Sequence, residues 1–140
     1  MRYVVALLVS TIIATTAMAQ TVFSADLDES ASTLRSIMAK TERVQPTHYE
    51  LSLSIQTDAQ ALLEKLIDIS GQSRRVNLAM MRQGSVPDRE LGLTTSTADA
   101  LILALNLNLR YLDTKDRIFW NQALIAVSIA KSLRTAIGKQ

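Results

Sequence analysis

Between Leu51 and Met80, small or apolar residues recur every three or four positions without a break. The series is Leu51, Ile55, Ala59, Leu62, Leu66, Ile69, Ser73, Val76 and Met80. Because an α-helix turns once in about 3.6 residues, this spacing places the series on one helix face. The pattern predicts a long helix whose apolar stripe must be covered by other parts of the chain.

One glycine lies inside this pattern without changing its phase. An interior glycine costs a helix about 1 kcal/mol relative to alanine. Two interpretations therefore stay open: one helix that continues to Gln83, or two nearly collinear helices that are separated at Ser70 and Gly71.

A shorter helix is predicted before the long one. Asp26 and Glu29 have the spacing of a capping box, which satisfies the free N–H groups at a helix start. Apolar residues follow at helical spacing, and the helix is expected to run from about Asp26 to Val44. Pro46 ends it, because a proline ring disfavours helix at the preceding residue.

A second capping box, Thr47 with Glu50, is expected to begin the long helix. Gly84 and Pro87 mark its end, since glycine favours a helix C-terminus and proline cannot continue one. We then predict a loop over residues 84–95, which exceeds the usual connection of about 4 to 6 residues.

Two further helices are predicted after this loop. Ser96 and Asp99 are expected to cap the first, whose run 100–109 is so apolar that it belongs at the centre of the fold. Asp113 or Asp116 caps the last helix, or the two helices are continuous. The last helix is expected to bury one row of residues: Phe119, Ala123, Ala126, Ala130, Leu133 and Ile137.

The composition agrees with an all-α fold. Hydrophobic residues make up 48% of the chain but aromatic residues only 4%, and there is no cysteine. Leucine, alanine and methionine favour helices over sheets. We therefore predict a single antiparallel bundle of four or five helices over residues 20–140, which is stabilised by apolar packing without disulfides.

Residues 1–19 have the features of a cleavable signal peptide. Arg2 is followed by an apolar run and then by the small residues Ala17 and Ala19. Cleavage is expected between Ala19 and Gln20, and the run is too short to span a bilayer, which takes about 20 residues. The sequence thus predicts a periplasmic or secreted protein with no transmembrane helix in the mature chain.

No catalytic, cofactor-binding or metal-ligating residues are predicted. His48 is the only histidine and there is no cysteine, so the usual strong metal ligands are scarce. After removal of Arg2 the net charge is near +1, which gives no general attraction to nucleic acid. We interpret His48 as a surface residue beside the Thr47 cap.

A basic and leucine-containing segment is the candidate contact region for a partner protein. Its residues are Arg74, Arg75, Arg82, Arg89, Leu91 and Leu93. The leucines fall in the predicted loop, and Leu53, Leu63 and Leu124 lie off the main stripes, so an exposed apolar patch is expected.

Residues 25–34 resemble the first helix of the cytochrome b562 family, which would imply a haem in the bundle core. The position that matches the axial methionine of that family is Ala31, and the last helix has no histidine. The axial ligands of that family are thus missing, and the sequence is not assigned to it. A b-type haem or small-ligand carrier is kept as an alternative because a leucine-rich core that contains methionine can open a pocket without any motif. An enzyme with an unrecognised site is the other alternative. The main hypothesis is an exported helical protein that acts by protein contact, as an accessory factor of an envelope or secretion assembly, a chaperone-like helper or a toxin inhibitor. A homo-oligomer stays open.

Overall fold

The computed structural model describes the backbone of residues 2–45 and 47–138, with side chains for residues 22–45 and 47–138. The regular elements of this part are all helices: α1 (Arg2–Arg43), α2 (Tyr49–Arg82), α3 (Arg89–Thr114) and α4 (Arg117–Ala136). The predicted all-α bundle is confirmed, with four helices in the described part of the chain.

Helix α3 is the centre of the bundle, as its apolar sequence predicts. It contacts α1, α2 and α4. Polar pairs show that neighbours run in opposite directions: Lys65 of α2 meets Glu29 of α1, whereas Lys40 of α1 meets Asp58 of α2. Short connections join the helices, so successive helices pack against one another.

The predicted stripe of α2 forms its buried face. Ile55, Ala59 and Leu66 have no exposed side-chain surface, and Ser73 is also fully buried. Burial of one leucine or isoleucine side chain contributes about 1.5–3 kcal/mol. Gly71 does not divide the helix, and α2 ends at Arg82, one residue before the expected position.

Gly84 ends α2 as the sequence indicates. Its φ is +80°, a backbone conformation that glycine adopts without a steric penalty. The Gly84 N–H donates to the Met81 carbonyl and the Ser85 N–H to the Met80 carbonyl, each over 3.0 Å. These bonds satisfy carbonyl groups that the helix end leaves free.

Neither predicted capping box begins a helix. Helix α1 begins many residues before Asp26. Asp26 and Glu29 instead form ion pairs with Lys65, at 3.3 and 2.6 Å. Helix α2 begins at Tyr49 after His48, which makes no capping hydrogen bond through its side chain. The spacing of two residues alone does not distinguish a helix cap from a pair of acidic residues that form ion pairs with a neighbouring helix.

The predicted loop over residues 84–95 is wrong in its second half, because α3 begins at Arg89. The carboxylate of Asp88 caps this helix by accepting from the Leu91 N–H at 2.9 Å. Thr95 and Thr97 fit within the helix because their hydroxyls donate to the carbonyls four residues earlier. Ser96 and Asp99 therefore lie inside α3 and do not cap it.

Helices α3 and α4 are separate. Lys115 adopts a left-handed conformation with φ of 57°, and Asp116 then caps α4 by accepting from the Ile118 N–H. The alanines predicted for the inner face of α4 are buried, but Trp120 is buried beside them and Phe119 only half-buried. The indole of Trp120 packs on the ring of Tyr111, with centroids 5.1 Å apart.

Within the residues that the structure describes, none of the helices combines the length and the apolar character needed to cross a membrane. The expected stop at Pro46 lies outside the described residues. The same holds for the side chains of Ala19 and Gln20, so the expected cleavage site stays a prediction.

Candidate functional site

An apolar surface without charged groups lies where α3 and α4 pack together. We call it the α3–α4 face, and its residues are Leu103, Leu107, Gln122, Ile125, Ala126 and Ile129. They surround a shallow depression of about 260 Å³. Leu103 is 54% exposed, Ile125 60% and Ile129 49%, although all three are large apolar side chains.

The α3–α4 face follows from the way α4 divides its residues. Trp120, Ala123 and Ala130 point into the core, so residues one or two positions away are turned outward. In α4 many of these outward residues are apolar too, and the helix contains no acidic residue. An amphipathic helix would normally carry polar residues there.

A second concave surface lies between α1 and α4, above α3. We call it the α1–α4 groove, and it has a volume of about 320 Å³. Its lining consists of Leu27, Asp28, Ala31, Arg35, Thr97, Leu101, Val127, Ala130, Lys131 and Arg134. Apolar side chains thus form the floor of this groove, and charged side chains stand at its rim.

The six predicted contact residues differ in how exposed they are. Arg74 pairs with Asp99, which also accepts from the Ser70 hydroxyl at 2.7 Å. Leu91 is fully buried in the core and is not available to a partner, and Leu93 is half-buried. Leu91 is buried because α3 begins at Arg89, six residues before the predicted loop ends, so that Leu91 lies on the core side of a helix.

The other three predicted residues, Arg75, Arg82 and Arg89, are exposed. Arg75 and Arg82 lie on the last turns of α2, and Arg89 is the first residue of α3. Among the leucines expected to be exposed, Leu53 and Leu124 are about half exposed, while Leu63 is partly buried.

His48 lies at the start of α2 as an exposed residue, as predicted. A shallow depression there is lined by Thr47, His48, Tyr49, Glu50 and Leu51. Among the described residues, no three histidine or carboxylate side chains come together as metal ligands.

Sequence reasoning missed both concave surfaces. Each is built from residues of helices that are distant in the chain, such as Leu103 with Ile125, and Arg35 with Lys131. The one available signal was the row Ile118, Ile125 and Ile129 on the side of α4 away from its alanines.

Comparison of this chain with protein-family models, with curated proteins and with solved structures gives no match.

Proposed function

We propose that this protein is exported and acts by binding another protein through the α3–α4 face. The observation that carries the proposal is the group Leu103, Ile125 and Ile129, which lie side by side and about half exposed. Single exposed apolar residues are common on protein surfaces, but contiguous apolar patches mark sites of interaction.

The chemistry of the face indicates the chemistry of the partner. Its lining contains one polar side chain, Gln122, and no charged one. The complementary surface is therefore apolar, with a group that hydrogen-bonds the Gln122 amide. Depletion of charge at the centre is typical of protein interfaces.

Burial of these side chains would contribute part of the affinity of such a complex. Full burial of a leucine or isoleucine contributes about 1.5–3 kcal/mol, so covering the exposed halves of Leu103, Ile125 and Ile129 contributes on the order of 2–5 kcal/mol. A few central residues commonly dominate the affinity of an interface.

Export is part of the proposal because of the leader-like residues 1–19 and the lack of cysteine. A chain without thiols neither forms nor mispairs disulfides in an oxidising compartment. A helical protein of this size with an apolar contact surface fits an accessory factor of an envelope or secretion assembly.

The test is co-purification of the tagged full chain from the cell that produces it. The double variant Ile125→Asp, Ile129→Asp places two charges in the α3–α4 face and should lose a protein that the unmodified chain retains. Ile67→Asp is the matched control, because Ile67 is 55% exposed on α2 outside this face. Circular dichroism checks that every variant is folded.

Equal recovery of the partner by the double variant would overturn the proposal, as would recovery of the unmodified chain without any partner. A partner with the mass of this chain itself would identify the face as the contact between two copies.

A further inference from the structure

We propose that the α1–α4 groove binds an amphiphile with an anionic head, specifically the carboxylate of a single long acyl chain. This ligand site is separate from the α3–α4 face and does not depend on the proposed protein contact. It follows from the shape of the groove and from the unequal charges around it.

The floor of the groove suits an acyl chain. Leu27 and Leu101 are almost fully buried and Ala130 is 2% exposed, so they are fixed in the core and present a dry surface. Ala31 and Val127 continue this surface, and the small alanines keep the groove open. Its volume of about 320 Å³ is within the range of small-molecule sites, about 300–1,000 Å³.

The rim carries more positive than negative charge. It has Arg35, Lys131 and Arg134 against a single carboxylate, that of Asp28. Arg134 is already neutralised, because its guanidinium donates two hydrogen bonds to Asp28, at 2.9 and 2.8 Å.

Two cations are therefore available to a ligand. Among the described residues, the guanidinium of Arg35 donates only to the Ala31 carbonyl, at 3.3 Å, and Lys131 makes no ion pair. Helix α4 ends at Ala136, so Lys131 lies more than one turn before its C-terminus. The helix dipole acts mainly on charges in the last turn and therefore does not account for the position of Lys131.

The combination selects one class of ligand. An apolar floor alone would accept any apolar chain, whereas two cations without an ion-pair partner at its edge favour a ligand with an anionic head group. Arginine and lysine both form charge-assisted hydrogen bonds with carboxylates, and the arginine fork can bind both oxygens. A neutral or cationic amphiphile would leave these cations without a partner.

The experiment is calorimetric titration of the purified full chain with decanoate, decanol and decyltrimethylammonium. Decanoate should bind at one site per chain, and the other two should bind at least about tenfold more weakly. The double variant Arg35→Gln, Lys131→Gln should lower the affinity for decanoate by about tenfold, since it removes two exposed charges that each form a weak ion pair with the carboxylate. Arg75→Gln removes an exposed charge outside the groove and should have no effect.

A second variant tests whether the acyl chain of decanoate lies in the α1–α4 groove. Ala31→Leu fills the groove and should abolish binding, whereas Ala39→Leu, at an exposed position of the same helix, should not. Thermal unfolding of each variant shows whether it is folded. The proposal is overturned if decanoate does not bind, if decanol binds equally well, or if folded Ala31→Leu binds as the unmodified chain does.

Discussion

Asn108 is a polar residue in a part of α3 where its neighbours in the sequence are apolar. It lies in the most apolar stretch of α3 and is fully buried. Its amide donates to the Thr41 hydroxyl at 3.0 Å, and that hydroxyl donates to the Ile37 carbonyl at 2.9 Å. The Asn108 carbonyl oxygen has no partner among the described residues, and such a group costs about 1–3 kcal/mol.

We predict that Asn108→Leu leaves the free energy of unfolding unchanged or raises it by about 1 kcal/mol. Leucine has a similar size, and Thr41 keeps its bond to the Ile37 carbonyl, so no new unpaired group is created. Asn108→Asp should destabilise the protein strongly, because it buries a charge. Urea denaturation of the three proteins measures this, and a clear loss of stability in Asn108→Leu would contradict the account.

Lys65 joins α2 to α1 through two carboxylates. Its hydrogen bond with Glu29 has the largest effect and raises the pKa of the Lys65 ammonium above its ordinary value of 10.5. Desolvation by burial, the next largest effect, lowers this pKa, and the interaction with Asp26 raises it again. A raised pKa in the folded state means that protonated Lys65 stabilises the fold. This contribution is complete below pH 10.5 and is lost as the pH rises through the folded-state value.

We therefore predict that Lys65→Gln lowers stability at neutral pH by up to about 1 kcal/mol, since the side chain is partly exposed. The difference between the variant and the unmodified chain should shrink at a pH well above 10.5. Urea midpoints at both pH values measure it. A difference that does not change with pH would show that the ion pairs do not contribute.

At the scale of elements, the sequence predicted helix faces better than helix starts. The buried face of α2 could be derived because its apolar stripe continues over about eight turns, and successive members of the stripe are always three or four residues apart. The start of α3 could not, because Gly92 and the threonines 94, 95 and 97 favour a loop in isolation. Tertiary packing overrides this preference: Leu91 and Thr94 are buried against the core.

We predict that Asp88→Ala lowers the free energy of unfolding by about 1 kcal/mol, because α3 loses the carboxylate that caps its start. Asp88→Asn should retain most of the stability, since asparagine is also a good cap. Asp113→Ala is the matched control, an exposed aspartate in the last turn of α3, and it should be neutral or slightly stabilising. Thermal unfolding measures the series, and equal effects of Asp88→Ala and Asp113→Ala would contradict the capping role.

At the scale of the whole molecule, the described helices leave the α3–α4 face and the α1–α4 groove uncovered. The all-α fold could be derived from the composition of the sequence. The central position of α3 could also be derived, since nearly the whole circumference of that helix is apolar. The α3–α4 face and the α1–α4 groove could not, because they depend on which residues of different helices become neighbours. The side of α4 opposite its alanines is apolar without a covering helix, and we attribute this to a partner.

Site-specific photocrosslinking tests this central claim most directly. A photoreactive side chain replaces Ile125 in one version of the chain and Ile67 in another, each expressed in the producing cell. We predict a discrete covalent adduct with one protein from position 125 and none from position 67. No adduct from position 125, or the same adduct from both positions, would contradict the claim that the α3–α4 face is the surface through which this protein acts.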